Sequence, residues 1–288
     1  MTEITPSKDH RGENFPVASF IIKPRHRAAI MAFYRFARGA DDVADHEDLS
    51  PEAKLAELEA MRATLAGESD ADPASLALRQ ALDARGVSPD HGLDLLGAFR
   101  QDVAKSRYAS WDELIDYCRR SAMPVGRFVL DVHGEARGTW AASDPLCAAL
   151  QVINHLQDCA KDYRELDRVY LDGEAMAASG ITVEALTEPA ASPALRSVIV
   201  QMARRTQTLL DQSRPLASQI KDGRLAYEVA LIQRLAEDLT ARLIARDPLS
   251  ERVHHRPLEV LGLVILAGKD QIAGRRASGP VDLPRRVE

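Results

Sequence analysis

The sequence predicts an all-α protein, a globular helical bundle. Three observations carry that expectation. Strand signals are almost absent, with no series of alternating Val, Ile and Thr runs broken by Asn-Gly or Asp-Gly turns; apolar residues recur at helical spacing nearly end to end; and Gly or Pro marks most junctions. The segment "SFIIKPRHRAAIMAFYRFARGADDVAD" predicts a helix from about Pro24. Next, Ser50 reads as an N-cap with Pro51 at the first helical position and Glu52 behind it, and Gly67 closes that helix. Further helices are expected at about 73–85, 88–107, 110–135, 143–166, 181–187, 192–222, 225–246 and 256–270. Their apolar stripes are broad, which suits a globular bundle and not a coiled coil. Connections are short and no low-complexity linker interrupts them, so one domain over residues 1–288 is expected, with flexible ends at about 1–12 and 272–288.

The 288 residues are 45% hydrophobic, enough for a sizeable core. The 37 Lys and Arg are interspersed with 43 Asp and Glu for a net charge of -6, so no basic face for nucleic acid is visible. Cys118, Cys147 and Cys159 lie in apolar periodic segments without CxxC pairing, as reduced thiols in a cytosolic core do. The opening "MTEITPSKDHRGENFP" has no apolar stretch after a basic start and is not a signal peptide. "LEVLGLVILAG", Leu258 to Gly268, is about half of the roughly 20 residues a bilayer span needs. The expectation is a cytoplasmic protein, with peripheral membrane attachment left open.

One short stretch does not fit a plain core helix. In "FYRFARGADDVADHED", residues Tyr34, Arg38, Asp41 and Asp45 fall at steps of four, three and four and share one helix face, while Asp42 points elsewhere. Like charges four apart repel, and the helix dipole disfavours acids at a C-terminus. A solvated helix end would account for one such stripe. A second stripe, however, runs through "LQVINHLQDCAKDYRE", where Asn154, Asp158 and Asp162 again fall at steps of four. Five oxygen-bearing side chains on two facing helices suit a hard cation. Open carboxylates suit Mg²⁺ carrying a substrate diphosphate better than a closed cage. A di-iron bundle would need Glu-x-x-His pairs, which the two stripes lack, and His46 and His155 read as incidental neighbours.

These residues resemble the squalene/phytoene synthase family, the head-to-head prenyl synthases of the isoprenoid synthase fold. The carriers are "YRFARGADDVAD", "RYASWDELIDYCRRSAMPVGR" and "NHLQDCAKDYRELDRVYL", and the resemblance is strong from about Asn14 to Leu171. It implies a helical bundle with a central cavity. Within the family, "ENFPVASFIIKPRHR" and "YCRRSAMPVGR" are similar to the bacterial hydroxysqualene branch, which acts on presqualene diphosphate. Other branches carry a His and a basic residue close to the position of Ser19, where this chain has Pro16, Val17 and Ala18.

The resemblance implies that Asp41 and Asp45 bind Mg²⁺ on the first stripe, and Asn154, Asp158 and Asp162 on the second. Ser19, Tyr34, Arg38 and Arg127 would contact the diphosphate, with Tyr170 near the leaving group. Three departures bear on substrate choice: Gln157 replaces a basic residue, Met123 stands where the branch tends to have Asn, and the spacing from Asp162 to Tyr170 is one residue longer than usual. The implied reaction is Mg²⁺-assisted ionisation of presqualene diphosphate, with capture of the rearranged cation by water. The small-residue segment "SAMPVGRFVL" would let two helices and a long chain approach closely. An oily product would suit hand-over to other squalene-pathway enzymes. The rivals are a synthase condensing two prenyl diphosphates, a non-catalytic partner protein of the same fold, and a lipid-binding bundle. The first would turn over farnesyl diphosphate; the other two would release no diphosphate.

Overall fold

The computed structural model describes residues 23–255. Among them the regular elements are helices: α1 (Pro24–Asp45), α2 (Pro51–Leu65), α3 (Pro73–Asp83), α4 (Asp90–Ala104), α5 (Trp111–Ser121), α6 (Met123–His133), α7 (Trp140–Gln157), α8 (Cys159–Leu166), α9 (Gly173–Ala178), α10 (Pro193–Ser213), α11 (Leu216–Gln219) and α12 (Gly223–Ala245). Short 3₁₀ turns at Arg137–Thr139 and Val183–Thr187 complete the order. The starts follow the expected chemistry. Ser50 Oγ accepts the Ala53 N–H at 3.3 Å with Pro51 behind it, Asp72 Oδ1 accepts from Ser75 at 2.7 Å, and Ser192 Oγ accepts from Leu195 at 3.2 Å. Each cap satisfies a backbone donor the helix leaves over, worth about 1 kcal/mol.

Two apolar clusters hold the helices. One joins α1 to α4, with Phe33, Phe36, Leu58, Leu65 and Leu96 among its buried residues. The other centres on α7, which packs chiefly against α10, α6 and α12. Helix α6 serves both, since Phe128 and Val132 enter the first cluster and Met123 and Leu130 the second. Phe128 stacks on Phe33 with ring centroids 4.0 Å apart. The expected close approach is present where α6 meets α7: a Cβ on Gly126 would stand 2.5 Å from Cys147 Sγ and 2.6 Å from Ser143 Oγ.

Three predicted helices are each broken in two. The one expected over 110–135 divides at Ala122 (φ -121°, ψ -47°), because Pro124 has no N–H to donate and its ring clashes with the preceding turn. That over 192–222 stops at Ser213, ahead of Pro215. That over 143–166 breaks at Asp158 (φ -102°, ψ 8°). Helix α9 was not anticipated; its six residues are too short to show a period, and Asp172 caps it by accepting from Ala175 at 3.0 Å. The helix expected at 256–270 and the flexible ends lie outside the described residues. All three cysteines are free. Burial pushes Cys118 and Cys159 up to about 12, so they pack as protonated thiols. No described helix is long and apolar enough to cross a membrane.

Candidate active site

The first acidic stripe occupies the last turns of α1, where the dipole opposes it and no basic residue stands in the final turn. Compensation comes in part from one turn back. Arg38 forks between Asp41 at 2.9 Å and Asp42 at 3.0 Å, so Asp42 shares the guanidinium instead of pointing away from the stripe as expected. Asp45 is held by a cation from elsewhere in the chain, the Arg168 guanidinium at 2.6 Å. The Asp41 carboxyl is pushed up to about 6, first by burial and then by the Asp45 charge, with Arg38 opposing. A carboxylate so placed is stabilised further by any additional cation.

The second stripe crosses the break between α7 and α8 without losing register. The Asp158 N–H still reaches the Asn154 carbonyl at 3.0 Å, and the Asp162 N–H reaches that of Asp158 at 2.8 Å, so the three side chains keep their steps of four. Beyond α8 the chain reverses at Asp167, a non-glycine residue in the left-handed region (φ 50°) whose carboxylate pairs with Arg107 at 2.5 Å. The reversal brings the Val169 N–H to the Ser106 carbonyl at 2.9 Å and aims Arg168 back at Asp45. Arg168 thereby ties the segment after the second stripe to the end of the first.

Beside this tie lies a buried aromatic group. Tyr170 stacks on His155 with centroids 3.5 Å apart, flanked by Tyr108 at 5.5 Å and Tyr117 at 6.0 Å. His155 Nδ1 stands 3.9 Å from an Asp162 oxygen, too far for a hydrogen bond, and its Nε2 contacts Gln151 at 3.1 Å. His155, expected to be an incidental neighbour, thus stands between Tyr170 and the second stripe. Tyr117 donates to Asp102 Oδ2 at 2.8 Å, and no hydrogen bond among the described residues reaches Asp102 Oδ1. Burial pushes the Asp102 carboxyl up to about 7, with Arg168 opposing. It also drives the Tyr170 phenol far above its ordinary 10.0, so Tyr170 stays protonated.

The remaining expected residues fall in different places. The Tyr34 hydroxyl is closed off from solvent on the face of Arg38. Arg127 is engaged elsewhere: both prongs bind Asp144, at 2.8 and 2.5 Å, and the guanidinium lies over Trp140. That fork ties Arg127 to the α6–α7 seam, so a diphosphate contact there would have to share the guanidinium with Asp144. Ser19 lies outside the described residues. Gln157 is buried and donates to the Val253 carbonyl, and Met123 is a core residue. His46 accepts the Asp48 N–H at the helix end. Sequence reasoning missed Arg168, Asp102 and Tyr117. The one signal for Asp102 was an acid inside the periodic segment "GAFRQDVAK"; Arg168 had none, because its role depends on a chain reversal.

The profile of the squalene/phytoene synthase family matches residues 8–259, which contain both stripes and the segment that joins them. The chain belongs to the squalene/phytoene synthase family. It is 53% identical over 284 residues to the hydroxysqualene synthase of Rhodopseudomonas palustris, covering 98% of this chain and 97% of that one. The hydroxysqualene synthase of Sinorhizobium fredii is likewise 53% identical, over 94% of this chain and 92% of its own. Among solved structures, squalene synthase HpnC from Alicyclobacillus acidocaldarius superposes with a TM-score of 0.67 at 29% identity, over 89% of this chain and 88% of that one. This is an all-α isoprenoid synthase fold, and membership of the family makes the chain an isoprenoid synthase.

Proposed function

We propose that the protein is a hydroxysqualene synthase, converting presqualene diphosphate and water to hydroxysqualene and inorganic diphosphate. The observation that carries the reading is the 53% identity, over nearly the whole chain, to proteins of that name. The geometry supports the ionisation step. The donors Asp41, Asp45, Asn154, Asp158 and Asp162 are all oxygen, the chemistry a hard divalent cation selects, and the raised Asp41 carboxyl favours a cation beside it. These residues would hold Mg²⁺, which when bound neutralises the diphosphate and stabilises its leaving charge.

The chain's own groups do the rest. Arg38, fixed by Asp41 and Asp42, holds a planar cation at the diphosphate end, with Tyr34 and Ser19 as further contacts. The C–O bond breaks with its electron pair leaving on the diphosphate. Tyr170, protonated and stacked on His155, presents a neutral ring and a hydroxyl near the leaving group, so it cannot act as a base that deprotonates the cation. Burial of Tyr108, Tyr117 and Tyr170 keeps bulk water from that side; one water adds its oxygen to the rearranged cation and passes its proton to the departed diphosphate. We place the enzyme in the cytoplasm, with peripheral membrane contact for hand-over of its apolar product to other squalene-pathway enzymes. The test is Mg²⁺-dependent release of diphosphate from presqualene diphosphate. Asp158→Ala should abolish release while the melting temperature stays at or above wild type, since a like charge is removed. Release that persists in this variant contradicts the reading.

A further inference from the structure

At the far end of α1 from the acidic stripe, three potential ligands converge from three elements: His26 in the first turn of α1, His133 at the last residue of α6, and Asp222, the N-cap of α12. One nitrogen from each ring and one carboxylate oxygen lie within 4.8 Å of one another. His26 stands fifteen residues before Asp41, roughly 22 Å along the helix axis, so this cluster is separate from the aspartates. The sequence reading did not single it out, because no two of the three are neighbours in the chain.

The polar atoms here are incompletely used. His26 is 4% exposed, and its Nδ1 is shut off from solvent without a hydrogen bond among the described residues. Asp222 is 9% exposed; its Oδ1 caps α12 by accepting the Arg224 N–H at 3.0 Å, while its buried Oδ2 is held by the Lys23 ammonium at 3.0 Å. At 38% exposure the Lys23 side chain can turn outward and leave that oxygen to a ligand. His133 Nδ1 lies 2.8 Å from the Val129 carbonyl, which places the ring proton there and leaves the Nε2 lone pair for a ligand. The two rings lie with centroids 4.1 Å apart and their planes tilted by 30°, so the rings are neighbours without being parallel.

We propose that His26, His133 and Asp222 form a binding site for a first-row divalent transition metal, with zinc as the natural probe, that clips the start of α1 to α6 and α12. Two imidazoles and one carboxylate are ligands that zinc accepts and magnesium does not favour. For Zn–N and Zn–O distances of about 2.0–2.2 Å the three atoms must close by roughly one ångström. Three cations stand at the cluster: Lys23 and the exposed Arg25, which now donates to His26 Nε2 at 2.9 Å, would give way, and Arg85, which donates to the Arg25 carbonyl, would move with it.

The test is calorimetric titration of the untagged full chain with Zn²⁺ in saturating Mg²⁺, which occupies the carboxylate stripes. One zinc should bind per chain. His133→Gln and Asp222→Asn, the second of which keeps an N-cap side chain, should each weaken binding at least about tenfold. Lys23→Ala should tighten it, and Asp158→Ala should leave it unchanged. The expected result is that pattern, with both ligand variants folded by circular dichroism. Absence of binding, equal binding in either ligand variant, or loss in Asp158→Ala would each overturn the site.

Discussion

Replacing Arg168 by Met tests how the acidic end of α1 is held together before any ligand arrives. The guanidinium lies 2.6 Å from Asp45 and 3.4 Å from the Asp102 carbonyl, with its side chain 10% exposed. Methionine keeps most of the volume and removes the charge. Breaking a buried pair from one side costs about 3–5 kcal/mol, and because Asp45 is 31% exposed the expectation here is about 2–3 kcal/mol. For a chain of this size that corresponds to roughly 4–10 °C of melting temperature. The loss should depend on pH. Asp102 is already pushed up to about 7, and removing Arg168 raises it further. A carboxyl raised in the fold contributes stability that is present at low pH and lost as pH rises through its folded value. At pH 5 Asp102 is neutral in both proteins and only the Asp45 contact is missed; at pH 8 the full deficit appears. Thermal unfolding of both proteins at pH 5 and pH 8 checks this, and Mg²⁺ should recover part of the pH 8 deficit. A deficit of the same size at both pH values would refute the reasoning and make Arg168 a packing residue only.

Three further outcomes follow from particular contacts. Asp102→Asn keeps an acceptor for the Tyr117 hydroxyl and removes a charge whose folded value, about 7 against an ordinary 3.8, sets an upper limit of about 4 kcal/mol on the gain. Urea midpoints should rise more at pH 8 than at pH 5, and an equal rise would remove the charge from the explanation. Gly126→Val forces atoms into a space where even a Cβ would stand 2.5 Å from Cys147 Sγ, so a loss of about 1–3 kcal/mol is expected, read as a lower urea midpoint. Arg38→Lys replaces a fork that spans Asp41 and Asp42 with a point charge. Turnover should fall at least about tenfold at saturating substrate; unchanged turnover would remove Arg38 from the diphosphate clamp.

The helical class, the cap at Ser50 with Pro51 behind it and both carboxylate stripes were legible because each depends on residues within a few positions of one another. The stripe of Asn154, Asp158 and Asp162 survived even though its helix is broken at Asp158, since backbone bonds on either side kept the four-residue step. What was not legible is long-range. Arg168 meets Asp45 across 123 residues and only after the left-handed turn at Asp167. His155 faces Tyr170 because that same reversal folds the chain back. The partner of Arg127 was not legible either, because Asp144 lies on a separate helix.

The most direct test of the central claim is incubation of the purified protein with Mg²⁺ and either presqualene diphosphate or farnesyl diphosphate, with products identified by mass spectrometry. Hydroxysqualene is expected from presqualene diphosphate, and no product from farnesyl diphosphate. Turnover of farnesyl diphosphate, or no product from either substrate, would contradict it.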